Sequence, residues 1–326
     1  MSAKTAAAAT PAPAAKQRTP LSAVKPEAKR APMVVLVHGL PGVGKTTFAS
    51  KFPEPIFVCA ERFGADELCV ARWPDDIESW ADVLEIPRRL ADEEHPYKTL
   101  VIDKIDDLEP LAFAAVIQRD AKGATSIDEV GGGWNKGQKA AVDEWRQLVA
   151  ALERLVAKRG MNVVLVSHSV RRGFKNPTGE NFDRWEPNIS QPSAGLLVGW
   201  CKEVLFVEEE VAAAKLPGDK LGKAKGISTG VRLMRTRYHA AYDAKNRHSL
   251  PDPLALDYGA FSEAMAAHRV ASPAELRASI EEKLAELGDT DVAAKVGKDV
   301  AAAGDDAEKL AIIDNRVAAT LRKKGA

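Results

Sequence analysis

The chain has 326 residues, and its 46 basic and 46 acidic side chains cancel, which excludes a wholesale affinity for polyanions and leaves any nucleic-acid contact to local patches. Three cysteines, Cys59, Cys69 and Cys201, are odd in number and read as buried thiols of a reducing cytoplasm rather than a disulfide framework. No apolar run approaches the ~18 residues of a membrane span, and the length suits one well-buried α/β domain with tails.

Residues 1–31 hold Ala, Pro, Lys, Ser and Thr with almost no large apolar side chain, which predicts a disordered tail. Its basic excess (Lys4, Lys16, Arg18, Lys25, Lys29 and Arg30 against Glu27) is that of a solvated tail, with a transit peptide or a loose polyanion contact as alternatives. The apolar run Met33–His38 predicts a buried strand. It is followed by Gly39-Leu40-Pro41-Gly42-Val43-Gly44-Lys45-Thr46 and by Thr47–Phe52, which can open a helix. This is G-x-x-x-x-G-K-[ST] in its strand–loop–helix context, a P-loop. Its glycines let successive backbone N–H groups face phosphate oxygens, Lys45 supplies a point charge for the β/γ-phosphates, and Thr46 offers a hydroxyl to Mg²⁺. Gly39 to Thr47 are therefore the expected nucleotide-binding residues, with ATP and Mg²⁺ the expected cofactors.

The next strand, Pro55–Ala60, ends at Glu61. A carboxylate at the carboxyl end of a strand beside a P-loop can polarise an attacking water, although a solvated strand-end acid reads the same. Thr99–Asp103 is an apolar strand ending in an acid, the Walker B pattern, and puts Asp103 opposite Thr46 in the Mg²⁺ shell; Asp106 serves instead if the strand runs on. Lys104 beside that acid would be repelled by Mg²⁺ unless it points away. Ala140–Arg159 carries apolar residues at a spacing of threes and fours, one face of a helix that packs on the sheet.

Asn162–Ser167 is another buried strand, closed by His168, which either contacts the γ-phosphate or is merely structural. After it, Arg171, Arg172, Phe174 and Lys175 in a Gly/Pro stretch, extended by Arg184 and Trp185, combine charge for a backbone with rings for base stacking. That is the chemistry of a single-stranded DNA contact. The Gly131–Lys136 stretch and the lysines at 215, 220, 223 and 225 are further loop candidates. Strands at Glu203–Glu208 and Gly230–Thr236 complete an α/β fold with a mainly parallel sheet. Lys245 and Arg247, at i and i+2, project together if the segment is extended, as exposed surface cations or as a finger supplied in trans to a neighbouring subunit's nucleotide. From Ser272-Pro273-Ala274-Glu275 the chain turns Ala-, Lys- and Glu-rich, a small helical appendage. The expected divisions are 1–31 tail, 32–265 ATPase core and 266–326 helical region, with no Cys/His grouping at metal-ligand spacing.

The order of Gly39–Phe48, Tyr97–Leu108, Asp143-Glu144-Trp145-Arg146, Asn162–Ser169 and Ala244-Lys245-Asn246-Arg247 with Leu250-Pro251 resembles the RecA-like P-loop ATPases of phages, the phage nucleotide-binding and RecA-like single-strand annealing proteins. The resemblance covers about residues 33–262. It implies a RecA-like core, Glu61 as catalytic glutamate, His168 as the sensor-strand polar residue, and Lys245 and Arg247 reaching a neighbour's ATP in a ring or filament. It also implies single-stranded DNA as partner, no membrane, and the cytoplasm of a bacterial host. Lys104 and Glu61-Arg62-Phe63 depart from the family pattern and bear on hydrolysis more than on nucleotide binding. A P-loop ATPase of other purpose (motor, loader or kinase) and a non-hydrolysing, ATP-stabilised annealing module are the alternatives.

Overall fold

The structure is a computed structural model that describes residues 32–59, 67–214, 225–267, 273–288 and 290–324. The expected tail at 1–31, Glu61 and the lysines at 215, 220 and 223 lie outside them. In chain order the elements are β1 (Val34–Gly39), α1 (Lys45–Ala49), β2 (Pro55–Val58), β3 (Ala71–Arg72), α2 (Trp80–Asp92), β4 (Thr99–Asp103), α3 (Ile105–Gln118), α4 (Lys136–Arg159), β5 (Asn162–Phe174), β6 (Phe182–Pro187), α5 (Gln191–Trp200), β7 (Glu203–Ala214), β8 (Lys225–Arg235), β9 (Lys245–Asn246), β10 (Leu254–Ala255), α6 (Tyr258–Ala267), α7 (Pro273–Leu287), α8 (Thr290–Ala303) and α9 (Ala307–Lys324).

Strand order is β10-β8-β7-β1-β5-β4-β2-β3. From β7 to β3 every pair is parallel, while β8 and β10 extend the sheet antiparallel. This is the expected α/β fold with a mainly parallel sheet. Alternating residues of each central strand sort to two faces, as the pleat requires. Leu36, Ile56, Leu100, Ile102, Val163 and Leu165 pack with Trp145, Leu148, Leu152 and the apolar sides of α2, α3 and α5. Val35, Val37, Phe57, Val101, Val164 and Val166 pack on the other face with Phe48 of α1, Phe52, and Phe261 of α6. Burial on both faces explains why these strands read as unbroken apolar runs.

Two strands outrun their expected ends. β5 continues past Ser167 to Phe174 because its distal half pairs antiparallel with β6, from Ser169↔Pro187 to Phe174↔Phe182. The stretch expected to be a Gly/Pro loop is thus a β-hairpin with its turn at 175–181. β7 likewise runs on past Glu208 along β8, through an irregularity between Glu209 and Val211. Helix α2, absent from the sequence reading, starts on a reciprocal capping box in which Asp82 N–H donates to Ser79 Oγ and Ser79 N–H donates to Asp82 Oδ2.

Residues 31–269 form one compact unit and those from Val270 on belong to a second. In the second, Leu276, Ile280, Val296, Leu310, Ile313 and Val317 of α7, α8 and α9 make a core of their own. Helix α6 spans residue 265, lies in the first unit and buries Phe261 and Ala264 there. Of the cysteines, Cys201 is buried, Cys59 is half-buried and Cys69 is exposed, so the expectation of buried thiols fails for Cys69, which lies beside the short edge strand β3. Burial pushes the Cys201 thiol up to about 12. No described helix is long and apolar enough to cross a membrane.

Candidate functional site

Strand β1 delivers the P-loop at the carboxyl edge of the parallel sheet. Gly39 is required by packing: it pairs with Val207 of β7, and a Cβ there would lie 2.3 Å from the Val207 carbonyl oxygen. Gly42 and Gly44 serve the loop itself. Their φ values, +77° and +106°, favour glycine, and nothing lies within 4 Å of where a Gly42 Cβ would point. That open cradle of backbone fits a phosphate. Lys45, only 5% exposed, donates from Nζ to the carbonyls of Gly39 (2.9 Å) and Leu40 (2.8 Å), which leaves one of its three hydrogens for a ligand. Burial lowers its ammonium to about 8, against the pull of Asp103 and Asp106.

The carboxylate comes from across the sheet. β5 lies between β1 and β4, and β4 ends at Asp103, close enough to the Thr46 side chain for that hydroxyl to favour the ionised carboxylate. The two residues expected to share Mg²⁺ are therefore neighbours, and desolvation raises the Asp103 carboxyl in the absence of a cation. An oxygen-donor pair of this kind suits Mg²⁺ carried in on a nucleotide, which keeps most of its ligands from phosphate and water. Among the described residues no group of three or more His, Cys, Asp or Glu could hold a metal alone. Lys104 turns along α3, with Nζ 3.2 Å from Asp107 Oδ2, which answers the expected clash with Mg²⁺. β2 ends at Val58, opposite Ile102.

Asp106 stitches this edge to β5. Its Oδ1 accepts from Ser167 Oγ (2.6 Å) and its Oδ2 from His168 N–H (3.0 Å), while His168 Nδ1 stands 3.6 Å from the same carboxylate. Burial, then Lys45, lowers the His168 imidazole, so it is neutral at pH 7. Within β1 itself, the fully buried His38 reaches Ser169 Oγ through Nδ1 (2.9 Å) and the Asp243 carbonyl through Nε2 (2.8 Å). A carbonyl only accepts, so Nε2 carries the proton and Nδ1 accepts from the serine. Desolvation holds this imidazole down to about 4. Asp243 in turn pairs with Arg184 of β6, whose guanidinium lies over Phe174 (5.8 Å) and Tyr238 (5.1 Å).

The expected DNA-contacting residues thus separate into two groups. Arg171, Lys175 and residues 177–181 are exposed, Arg171 with its Nε 3.4 Å from Asp183 Oδ2 on the partner strand. Arg172 donates to the Ile189 carbonyl (2.7 Å) and pairs with Glu186, Arg184 is held by Asp243, Phe174 stacks on Phe182 at 5.0 Å, and Trp185 is half-buried with its backbone bonded to Ala241 and Asp243.

Lys245 and Arg247 do not act as a pair. All three Lys245 ammonium hydrogens serve carbonyls at the end of α5, those of Val198, Gly199 and Cys201 at 2.7–2.9 Å, whereas Arg247 is exposed. Both flank Glu203, which accepts the Arg247 and His248 N–H groups. Glu203 aligns with Val35 at the start of β1, so this segment sits at the sheet edge opposite the P-loop of its own chain. Nothing local in the sequence connects His38, Asp106 and Asp243. A histidine inside an otherwise Val/Leu strand was the available signal for His38.

The AAA domain family model matches residues 31–248. No curated protein matches. Among solved structures, the RadB recombinase is similar at 11% identity and a TM-score of 0.37, covering 71% of this chain and 90% of that one. Because the family model spans more than half of the chain and begins beside the strand that carries the P-loop, the protein belongs to the AAA domain family of P-loop ATPases.

Proposed function

We propose that the chain is a Mg²⁺-dependent ATPase of RecA-like organisation that acts on single-stranded DNA in the cytoplasm, in phage-type recombination or strand annealing. The observation that carries this reading is the placement of Thr46 and Asp103 together beside Lys45, with Asp106, Ser167 and His168 bonded at the same edge on the strand that becomes the β5–β6 hairpin. Bound Mg–ATP supplies the phosphoryl centre. Gly39 to Thr47 hold the phosphates, Lys45 balances their charge, and Thr46 and Asp103 hold the cation. Glu61, which follows β2 in sequence, orients water. His168 reports the nucleotide state to Ser169 and the hairpin. Arg171 and Lys175 meet the DNA backbone, with Phe174 and Trp185 available for bases if the hairpin opens. In an oligomer, ring or filament, Arg247 is the cation free to reach a neighbour's nucleotide, because Lys245 is held by α5.

The engagement of Arg172 and Arg184 within the chain favours a second reading, a P-loop ATPase whose turnover ignores DNA. ATP hydrolysis with and without a long single-stranded oligonucleotide, with Lys45→Ala as blank, separates them. Stimulation that vanishes in the blank supports the first reading, and turnover indifferent to DNA supports the second. ATP binding without turnover leaves only an ATP-stabilised binding module.

A further inference from the structure

Strand β8 carries a cation to the P-loop that its motif does not contain. A Cβ added to Gly44 would meet Arg232 Nη1 at 3.2 Å and Leu256 Cδ2 at 3.3 Å, so the guanidinium lies against the third glycine of the loop. The pleat puts it there. Met234, two residues on, is fully buried in the same apolar cluster as Val43 and Phe48, and residues two apart on a strand share a face. The backbone is fixed on both sides, since Arg232 pairs with Glu209 of β7 and its carbonyl accepts the Leu256 N–H at 3.0 Å.

The side chain is exposed, and among the described residues no hydrogen bond or ion pair holds its guanidinium. Its neighbours differ: Arg235 is bound to Glu208 at 2.7 Å, Lys245 to three carbonyls, and Lys45 gives two hydrogens to its own loop. A triphosphate seated on this loop brings several negative charges against a single, partly engaged lysine. A guanidinium fork is well matched to phosphate oxygens.

Resting on the reading of the P-loop as an ATP site, we infer that Arg232 is a nucleotide-binding residue supplied in cis, its guanidinium taking phosphate oxygens of the bound triphosphate. It is distinct from any finger that a neighbouring subunit provides.

The test is calorimetric titration of ATP, and separately of adenosine, into the full-length protein and its Arg232→Ala, Arg232→Lys and Lys45→Ala variants, with thermal denaturation to show that each is folded. Arg232→Ala is expected to weaken ATP by roughly tenfold or more, the loss of one charge-assisted contact. Arg232→Lys recovers part of this, and adenosine binding does not change. The loss is also expected at protein concentrations where light scattering finds only monomer. An ATP affinity within twofold of wild type in Arg232→Ala overturns the inference while leaving the P-loop reading intact. So does an equal loss for adenosine, or a loss confined to assembled protein. Wild-type protein that binds ATP no better than Lys45→Ala removes both.

Discussion

Two glycines of one motif are present for different reasons, and substitution separates them. Gly39 has no room for a methyl group because the β7 backbone abuts it. Gly39→Ala is therefore expected to cost about 3 kcal/mol of stability in urea denaturation, the upper part of the range for overpacking a tight interior. Gly42 has space but a left-handed φ. Gly42→Ala should cost only about 1 kcal/mol in stability and show its main effect as weaker ATP binding. Equal stability losses in the two variants would refute the distinction. His38 gives a pH dependence whose sign follows from its burial. Its imidazole is held at about 4, below the ordinary 6.5, so between those values the unfolded chain binds a proton that the folded chain refuses. The stability it contributes is fully present above pH 6.5 and is lost as pH falls toward 4, by about 3 kcal/mol at 1.36 kcal/mol per pH unit. His38→Gln keeps a donor and an acceptor but does not titrate, so its stability should fall less steeply over that window. Matching slopes for wild type and variant would mean that His38 does not govern the acid limb.

At the scale of elements, what holds each one decides what a variant can reveal. Lys245 caps the carbonyl end of α5 with all of its donors, a partly buried arrangement worth about 1–2 kcal/mol. Lys245→Met should lower the denaturation midpoint accordingly while ATP turnover per folded molecule persists. A variant of full stability that loses turnover would instead restore Lys245 as a catalytic cation. The same contrast explains which features were legible in the sequence. The P-loop, β4 with Asp103, and the helix ending at Arg159 follow from local demands: backbone dihedrals, an apolar run ending in an acid, a periodic face. The β5–β6 hairpin looks like a loop in sequence because Gly173, Pro177 and Gly179 are loop residues in isolation, and only pairing with 182–187 makes the flanks a ladder. Likewise, His38 finds its partners 131 and 205 residues away, and Arg232 meets Gly44 from a strand at the far side of β7. No local pattern encodes such meetings.

At the scale of the whole molecule, every described residue assigned to nucleotide lies within 31–269, together with both apolar clusters that face the sheet. The helices from α7 onward bury their own leucines, isoleucines and valines on one another. Two units with separate cores need not share a stability. A chain ending at Arg269 is therefore expected to stay folded and to bind ATP within about twofold of the full-length affinity, since every described residue assigned to the nucleotide is retained. Aggregation of that chain, or a tenfold loss of ATP affinity, would show that the ATPase unit depends on the helical one. If ATP binding survives and the full-length protein shows DNA-stimulated turnover, that stimulation tells the units apart. Stimulation retained without residues 270–326 assigns DNA response to the β5–β6 hairpin side of the ATPase unit, and stimulation lost with ATP affinity intact assigns it to the helices.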